Sequence, residues 1–426
     1  MLIHKGFKFR LKPTKKQKQM LLQHGGNTRF VWNLFLSQNI KEYEKEKKFI
    51  FFHDLANSLP KLKQKHEFLK LSYSQSLQQI AKNLDRALKD SCKTEKGFPS
   101  FKKKNLLNDS FSIPQNYKIK QGYVYIPKIG KVKWIKHRNL EGTPKHITIS
   151  QEGDKWYCSV VCEIKIEDKK KKTDNLVGID LGLKHFATLS NGKTIENIRT
   201  LKKYEKRLAK AQRKLSRKEK GSNNRQKQRL KVSKIHTKIK NIRKDFLHKT
   251  SNSIAKNYDG IVLENLNIKG MMGNKHLSKA ISDVSWFEFR RQLEYKCKWN
   301  SKYFVVIDRF EPTTKVCSNC GCIQEMKLSD RVFKCKDCGL IIDRDYNAAI
   351  NILKLGCKQL DVSHENIDFK DLHKDLHTVG HTEIHACGED GSGLDKTSFK
   401  RNHASMKQEK EDYGLLCQRQ NRQNRP

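Results

Sequence analysis

Apolar residues in this chain switch between two spacings. From Lys5 to Leu11 they take every second position (Phe7, Phe9, Leu11), as a strand with one wet face requires. Pro13 and Thr14 then open a first helix, with Gln17 placed as the capping-box partner. A second helix bears Phe30, Val31, Leu34 and Leu36. A third, SQSLQQIAKNLDRALKDS, sets Leu77, Ile80, Ala81, Leu84 and Leu88 on one face and Gln75, Gln78, Gln79, Lys82 and Arg86 on the other. Between Gly97 and Glu167 the period returns to two. YKIKQGYVYIPKIGKVKWIKHR and KHITISQEGDKWYCSVVCEIKI alternate apolar with polar and are broken at Gly122, Gly130 and Gly153, as hairpins of an antiparallel barrel would be. Tyr117, Tyr123, Tyr125 and Trp134 interleave with lysines there, a pattern that suits barrel packing and base stacking equally.

Further on, Leu201, Tyr204, Leu208, Ala211 and Leu215 recur every three or four residues, and Ile235, Ile239, Ile242 and Phe246 do the same after a GSNN turn at Gly221 to Asn224. This predicts an antiparallel helical hairpin with a narrow apolar seam. Its outer faces are almost entirely Lys, Arg and Gln, more positive than solubility requires, which favours a grip on a nucleic-acid backbone. From about Gly356 the sequence turns polar and aperiodic and reads as a flexible tail. The irregular spacing of His364, His373, His377, His381 and His385 in it argues against a metal site.

Composition narrows the partner. Lys and Arg total 89 against 45 Asp and Glu, a net charge of +44, and the pI is near 9.8. Such a surface is built for a polyanion. A membrane would also attract it, but no apolar run approaches the roughly 18 residues a span needs, and MLIHKGFKFRLKP holds no signal-peptide core. The basic residues run from end to end, implying several nucleic-acid grooves or one long one. Outside the two C-x2-C pairs, the others of the 12 cysteines, such as Cys92, Cys158, Cys162 and Cys297, show no small-domain disulfide framework and read as reduced and mostly buried, in keeping with a cytoplasmic setting.

The chemistry lies in three acidic motifs: VGIDLGLKHFATLS around Asp180, IVLENLNIKGM around Glu264, and IIDRDYNAAINIL with Asp343 and Asp345. Each acidic residue closes or follows a short run rich in Val and Ile, which reads as a buried strand delivering a carboxylate to one end of a sheet. Converging carboxylates repel one another and are stable together when they hold hard cations such as magnesium, the arrangement of two-metal phosphodiester hydrolysis. One aspartate of the DRD triplet suits a ligand and the other a helix cap; the residues alone leave the choice between Asp343 and Asp345 open. Between the second and third motifs stand CSNC and CKDC. Cys317, Cys320, Cys335 and Cys338, with fourteen residues between the pairs and a glycine after each, form a zinc-ribbon pattern. Four thiolates leave no open position for water, so this zinc is structural. Cys322 is a rival ligand that C-x2-C geometry disfavours against Cys320.

These motifs, together with RFVWN, LQQIAKNLDRAL, GFPSFKKK and VGHTEIHACGE, resemble those of TnpB, the transposon-encoded RNA-guided DNA endonucleases with a RuvC-like (RNase H-fold) nuclease, over essentially the whole chain. The resemblance implies an α/β multidomain protein. Its wedge β-barrel would comprise residues 1–14 and 105–173, with a helical recognition lobe, 15–104, inserted in it. The RuvC-like nuclease would comprise 174–316 and 340–354, carrying the basic hairpin 196–250 and an inserted zinc ribbon, 317–339, before the tail 355–426.

By motif, Asp180, Glu264 and Asp345 would be the catalytic triad, holding two magnesium ions and giving cuts with 5′ phosphates, while the four cysteines hold one zinc. The partners would be a guide RNA from the transposon end and double-stranded target DNA, bound by a monomer or by a dimer on one RNA in a bacterial or archaeal nucleoid. The protein would read a short motif beside the target while base pairing reads the sequence. Gln75 and Gln79 would face that duplex, since glutamine can bond adenine edges, and the lysine-rich hairpin would grip RNA or heteroduplex by shape.

Three other readings compete. A compact type V CRISPR effector shares the nuclease and the ribbon. A nuclease-inactive RNA-guided repressor should have lost acidic residues, and all three motifs are intact. A transposase joining strands through a covalent DNA intermediate needs a His-hydrophobic-His and tyrosine constellation that this sequence lacks.

Overall fold

The computed structural model describes residues 1–93, 97–104, 109–167, 175–327 and 329–360. The tail reading beyond Leu360, with its histidines and VGHTEIHACGE, therefore lies outside the described residues. The chain divides into two units, one spanning Leu2–Lys165 and the other running from Ile166.

In the first unit, β1 (Leu2–Lys12) is followed by three helices, α1 (Lys15–Glu46), α2 (Phe52–Lys65) and α3 (Ser74–Lys93), before the remaining strands. These are β2 (Ser110–Ile113), β3 (Lys118–Ile119), β4 (Tyr123–Ile126), β5 (Gly130–Ile135), β6 (Thr143–Glu152) and β7 (Lys155–Lys165). They form one sheet in the order β2-β6-β7-β1-β5-β4-β3. The first strand thus lies in the middle, antiparallel to β7 on one side (Phe7↔Val160) and β5 on the other (Leu11↔Trp134). The alternation read from the sequence puts Phe7, Phe9, Val132, Trp134, Ile147, Ile149, Trp156 and Val160 in one core.

Two expectations need correction. The sheet is not a closed barrel: β2 pairs with β6 and β3 with β4, and no pairing joins the two edges among the described residues. The edge strands, four and two residues long, are too short for the staggered register that closure demands. The two helices expected before residue 40 are also one helix of 32 residues, uninterrupted at Gly25 and Gly26. The glycine at 25 serves a contact instead of a break. A Cβ there would lie 2.9 Å from the Cβ of Asp109, which approaches closely enough to pair with Arg29 at 2.7 Å.

The N-terminus of α1 carries the expected capping box, Thr14 accepting from the Gln17 N–H and Gln17 returning the bond. Farther along α1, RFVWN and GFPSFKKK meet. Trp32 Nε1 donates to the Ser100 carbonyl at 3.1 Å, Asn33 exchanges two hydrogen bonds with the Lys102 backbone, and the Lys102 ammonium lies 3.7 Å from the centre of the Trp32 ring.

The second unit is built on a five-stranded sheet in the order β10-β9-β8-β11-β12. Its strands are β8 (Leu176–Asp180), β9 (His185–Leu189), β10 (Thr194–Glu196), β11 (Gly260–Leu263) and β12 (Tyr303–Val306). β8, β11 and β12 run parallel, β9 pairs antiparallel with β8, and β10 pairs antiparallel with β9. Every residue of β8 and β11 is buried, which explains why both read as continuous apolar runs.

Between β10 and β11 rises the predicted hairpin, α4 (Thr200–Ser216) and α5 (Asn223–Asn257), zipped by Leu208, Ala211, Val232 and Ile239. The second helix outruns the hairpin, so that Leu247 and Ile254 enter the core of the main sheet. The short α6 (Ile268–Met271), α7 (Ser278–Val284) and α8 (Trp286–Trp299) follow β11. A two-stranded ribbon, β13 (Val332–Lys334) and β14 (Ile341–Asp343), then leads into α9 (Arg344–Leu360). This last helix continues past the expected start of the tail, and Cys357, read as a tail residue, is buried against Leu176 and Val262.

Candidate active site and metal centre

Parallel pairing brings the first two carboxylates together. Ile179 of β8 is in register with Leu263 of β11, so Asp180 and Glu264, each one residue further on, stand side by side at the carboxyl ends of adjacent strands. Open sheets with parallel strands present their sites at this edge. The third carboxylate arrives on α9, which crosses β8 in close contact. A Cβ on Gly178 would meet the Ala349 carbonyl at 2.2 Å and Leu353 N at 2.6 Å, so only glycine admits the helix. Asp345 stands in the first turn of that helix.

Asp343 and Asp345 have separate tasks. Asp343 accepts the backbone N–H groups of Asp345 and Tyr346 at 2.9 and 3.0 Å and is exposed; it caps the helix. Asp345 is largely buried and paired with Arg344 at 2.9 Å, whose guanidinium also donates to the Asp330 carbonyl.

The charges of Glu264 and Asp345 are both felt at Asp180. Asp180 is 9 % exposed, and burial, then the negative charges of Asp345 and Glu264, push its pKa up to about 8, against the smaller opposing pull of Arg344 and the Leu181 backbone. Burial also raises Glu264. A hard divalent cation would supply the positive charge that these oxygens lack, although among the described residues only the four cysteines bring their ligand atoms within 4.8 Å of one another.

The cysteines form a second centre. Their four sulfurs lie within 4.8 Å of one another, with Cys317 and Cys338 at 3.6 Å and Cys320 and Cys335 at 3.5 Å. Tetrahedral zinc with bonds of about 2.3 Å places its sulfurs about 3.8 Å apart, so the cluster needs little adjustment to receive it. Gly321 and Gly339, each directly after a C-x2-C pair, take the positive φ values (81° and 73°) that turn the two knuckles. Cys322 stays outside the group.

Sequence reasoning missed the residues joining the two centres. Asn347 accepts from the Ser318 N–H at 2.9 Å and donates to the Val316 carbonyl at 2.7 Å. Asn351 donates to the carbonyls of Thr313 and Val316. Both asparagines are buried on α9, so the helix that presents Asp345 is fastened to the backbone on either side of Cys317. Their apolar flanks in NAAINIL were the available signal: a buried amide in such a stretch must find partners.

The remaining candidates are placed as follows. Gln75 accepts from the Tyr73 hydroxyl at 2.7 Å and Gln79 donates to Asn83 at 3.0 Å, both half-buried on α3. On the hairpin, Arg207, Lys210, Lys214, Lys231 and Lys238 surround a cavity of about 430 Å³ beside Tyr204. Cys158, Cys162 and Cys297 are free and buried, as expected, whereas Cys92, expected to be reduced, is disulfide-bonded. No described helix is long and apolar enough to cross a membrane.

The fold and site define a carboxylate centre at the ends of parallel strands, fastened to a four-thiol knuckle. A family model described as "Probable transposase" (OrfB_IS605) matches residues 159–275, and a Cas12f1-like TNB domain model matches 286–352. A helix-turn-helix domain model matches residues 1–48, which here form one strand and one long helix.

"Putative RNA-guided DNA endonuclease InsQ" of Escherichia coli (strain K12) is 36% identical over 370 residues, 82% of this chain and 92% of the relative. A "Putative RNA-guided DNA endonuclease" of Streptomyces pristinaespiralis is 34% identical, over 83% of this chain and 90% of its own. The protein in a cryo-EM structure of a Cas12f1-sgRNA-target DNA complex superposes with a TM-score of 0.52 at 14% identity, covering 82% of this chain and 98% of that one, a likeness of fold. The chain belongs to the TnpB family of transposon-encoded proteins.

Proposed function

We propose that this protein is an RNA-guided DNA endonuclease of a transposon, cutting target DNA beside a short motif by metal-assisted phosphodiester hydrolysis. The observation that carries the reading is the placing of Asp180 and Glu264 at adjacent strand ends, with Asp345 of α9 near enough for its charge to act on Asp180, in a chain 36% identical to a relative described as a "Putative RNA-guided DNA endonuclease". In this reading the sheet is RuvC-like and the three carboxylates hold two magnesium ions. Magnesium bound there would supply Lewis-acid polarisation of the scissile phosphate and an activated water. The chain's own part is to orient and desolvate. The buried ends of β8 and β11 hold Asp180 and Glu264 in register, and α9, capped by Asp343, fixes Asp345 beside Arg344.

The four cysteines would hold one structural zinc, keeping α9 in place through Asn347 and Asn351. We assign α1 to α3 to a recognition lobe inserted after the first strand of a wedge sheet, with Gln75 and Gln79 facing motif-adjacent duplex, and residues 317–339 to the ribbon. The basic hairpin would hold RNA or heteroduplex by its phosphates, as its lysine-lined cavity supports.

The test is to express the chain with its adjoining downstream DNA and sequence the RNA that copurifies. A discrete RNA from the element's end, directing cleavage of matching targets, supports the proposal. RNA-directed binding without cutting favours a repressor, RNA from a neighbouring repeat array favours a type V effector, and no specific RNA contradicts guidance altogether.

A further inference from the structure

Arg344 lies between the two aspartates of the DRD triplet and gives its side chain to the second. Its Nε and Nη2 donate to one and the same oxygen of Asp345, Oδ1, at 3.1 and 2.9 Å. The remaining branch, Nη1, donates to the Asp330 carbonyl at 3.0 Å, and the Arg344 backbone N–H to the Arg331 carbonyl at 2.8 Å. Asp330 and Arg331 directly precede β13 of the ribbon, so a single arginine fastens Asp345 to the ribbon by side chain and backbone together.

The two neighbours of Asp345 thus constrain different parts of it. Asp343 holds its backbone N–H, which leaves the rotation of the carboxylate as the freedom still to be fixed. Arg344 fixes it through Oδ1, and Oδ2 accepts no hydrogen bond among the described residues. The bridge needs a planar fork with donors in set directions. An ammonium, as a point charge on a flexible stem, cannot hold the carboxylate and the Asp330 carbonyl in the same way.

We propose that Arg344 is a positioning residue, which holds Oδ1 of Asp345 against the ribbon and keeps Oδ2 for a divalent cation. The proposal rests on the nuclease reading above and adds the group that orients its third carboxylate. Charge and orientation make opposite predictions here. A guanidinium acting through its charge alone repels a cation, so replacing it with glutamine would tighten metal binding. A guanidinium that orients a ligand makes its own loss weaken binding, by about 10–100-fold for hydrogen-bond partners of metal-binding side chains.

The test is calorimetric titration of manganese, in place of magnesium, into the purified full chain, with Asp180→Ala as the blank. Arg344→Gln and Arg344→Lys should both bind manganese about 10–100-fold more weakly than the unaltered chain while keeping their zinc, since lysine retains the charge and not the fork. Guide complexes of both variants should need correspondingly more magnesium for single-turnover cleavage. Methylguanidinium at millimolar concentration should recover manganese binding by Arg344→Ala, and this decides the matter if glutamine or lysine costs the chain its zinc. Failure to recover overturns the proposal and leaves the nuclease reading standing. So does full affinity in Arg344→Lys, or binding by Arg344→Gln as tight as or tighter than that of the unaltered chain. An unaltered chain that binds no more manganese than Asp180→Ala overturns both.

Discussion

Asp343 Oδ1 accepts the backbone N–H of Asp345 at 2.9 Å, so one aspartate of the DRD triplet caps the helix on which the other is presented. The two differ in consequence though only one residue separates them. Asp345→Ala should remove guided cleavage by more than about a hundredfold while leaving guide and target binding intact, because a charge-stabilising group acting on the reaction is lost. Asp343→Ala should cost about 1 kcal/mol of stability, the usual value of a helix cap, and retain measurable cleavage, with Asp343→Ser recovering the stability. Melting curves and single-turnover rates on the same preparations check both. Equal loss of cleavage in the two alanine variants, with both folded, contradicts the division of labour.

The four-cysteine centre should contain one zinc per chain by elemental analysis, and Cys335→Ala none. Structural zinc contributes on the order of 10 kcal/mol in small domains, so chelation should open the ribbon and loosen α9. Asn347→Ala should act in the same direction without touching zinc. It leaves the Ser318 N–H unpaired in the interior, a cost of about 1–3 kcal/mol, and takes from the Val316 carbonyl one of its two amide donors, Asn351 being the other. Full zinc content with a lowered melting temperature is the expected signature; an unchanged melting temperature contradicts the clamp.

Gly178→Ala should be among the most damaging small substitutions in the chain. Its methyl group would enter backbone of α9 at 2.2 and 2.6 Å, and neither atom belongs to a flexible side chain. The helix must lift from β8 and take Asp345 with it. Thermal unfolding should show a loss of several kcal/mol, on the order of that for overpacked cores; a melting temperature equal to the unaltered protein contradicts the close crossing.

Much of this was readable in local pattern. Thr14 and Gln17 announced their capping box, the knuckle glycines followed their cysteine pairs, and the apolar runs before Asp180 and Glu264 marked strands buried on both faces. Local signals failed where the partner is remote in sequence. Gly25 looks like a break, since a mid-helix glycine costs about 1 kcal/mol, until Asp109 is seen lying across it. Asn347 and Asn351 look like helix residues of no special role until Val316 and Thr313 are seen beneath them. Closure of the first sheet could not be read either, because alternation reports which face is buried and not which edges meet.

His24 should make the first unit acid-sensitive. It is buried and accepts the Tyr73 N–H at 3.0 Å, and burial lowers its pKa from 6.5 to about 4. The unfolded chain therefore takes up a proton near pH 6.5 that the folded chain refuses until about pH 4. Stability from this residue is complete above pH 6.5 and declines as pH falls toward 4, by on the order of 3 kcal/mol in total. The melting temperature of the unaltered protein should drop across that window more steeply than that of His24→Gln; parallel profiles contradict the assignment.

The central claim is that Asp180 belongs to a guided, metal-dependent cutting site. The most direct measurement loads the purified chain and Asp180→Ala with the same copurifying RNA and follows cleavage of a matching duplex with and without magnesium. The account predicts cutting only by the unaltered chain and only with magnesium, with equal target binding by both proteins. Cutting by Asp180→Ala, or cutting that persists after all divalent cations are removed, would contradict it.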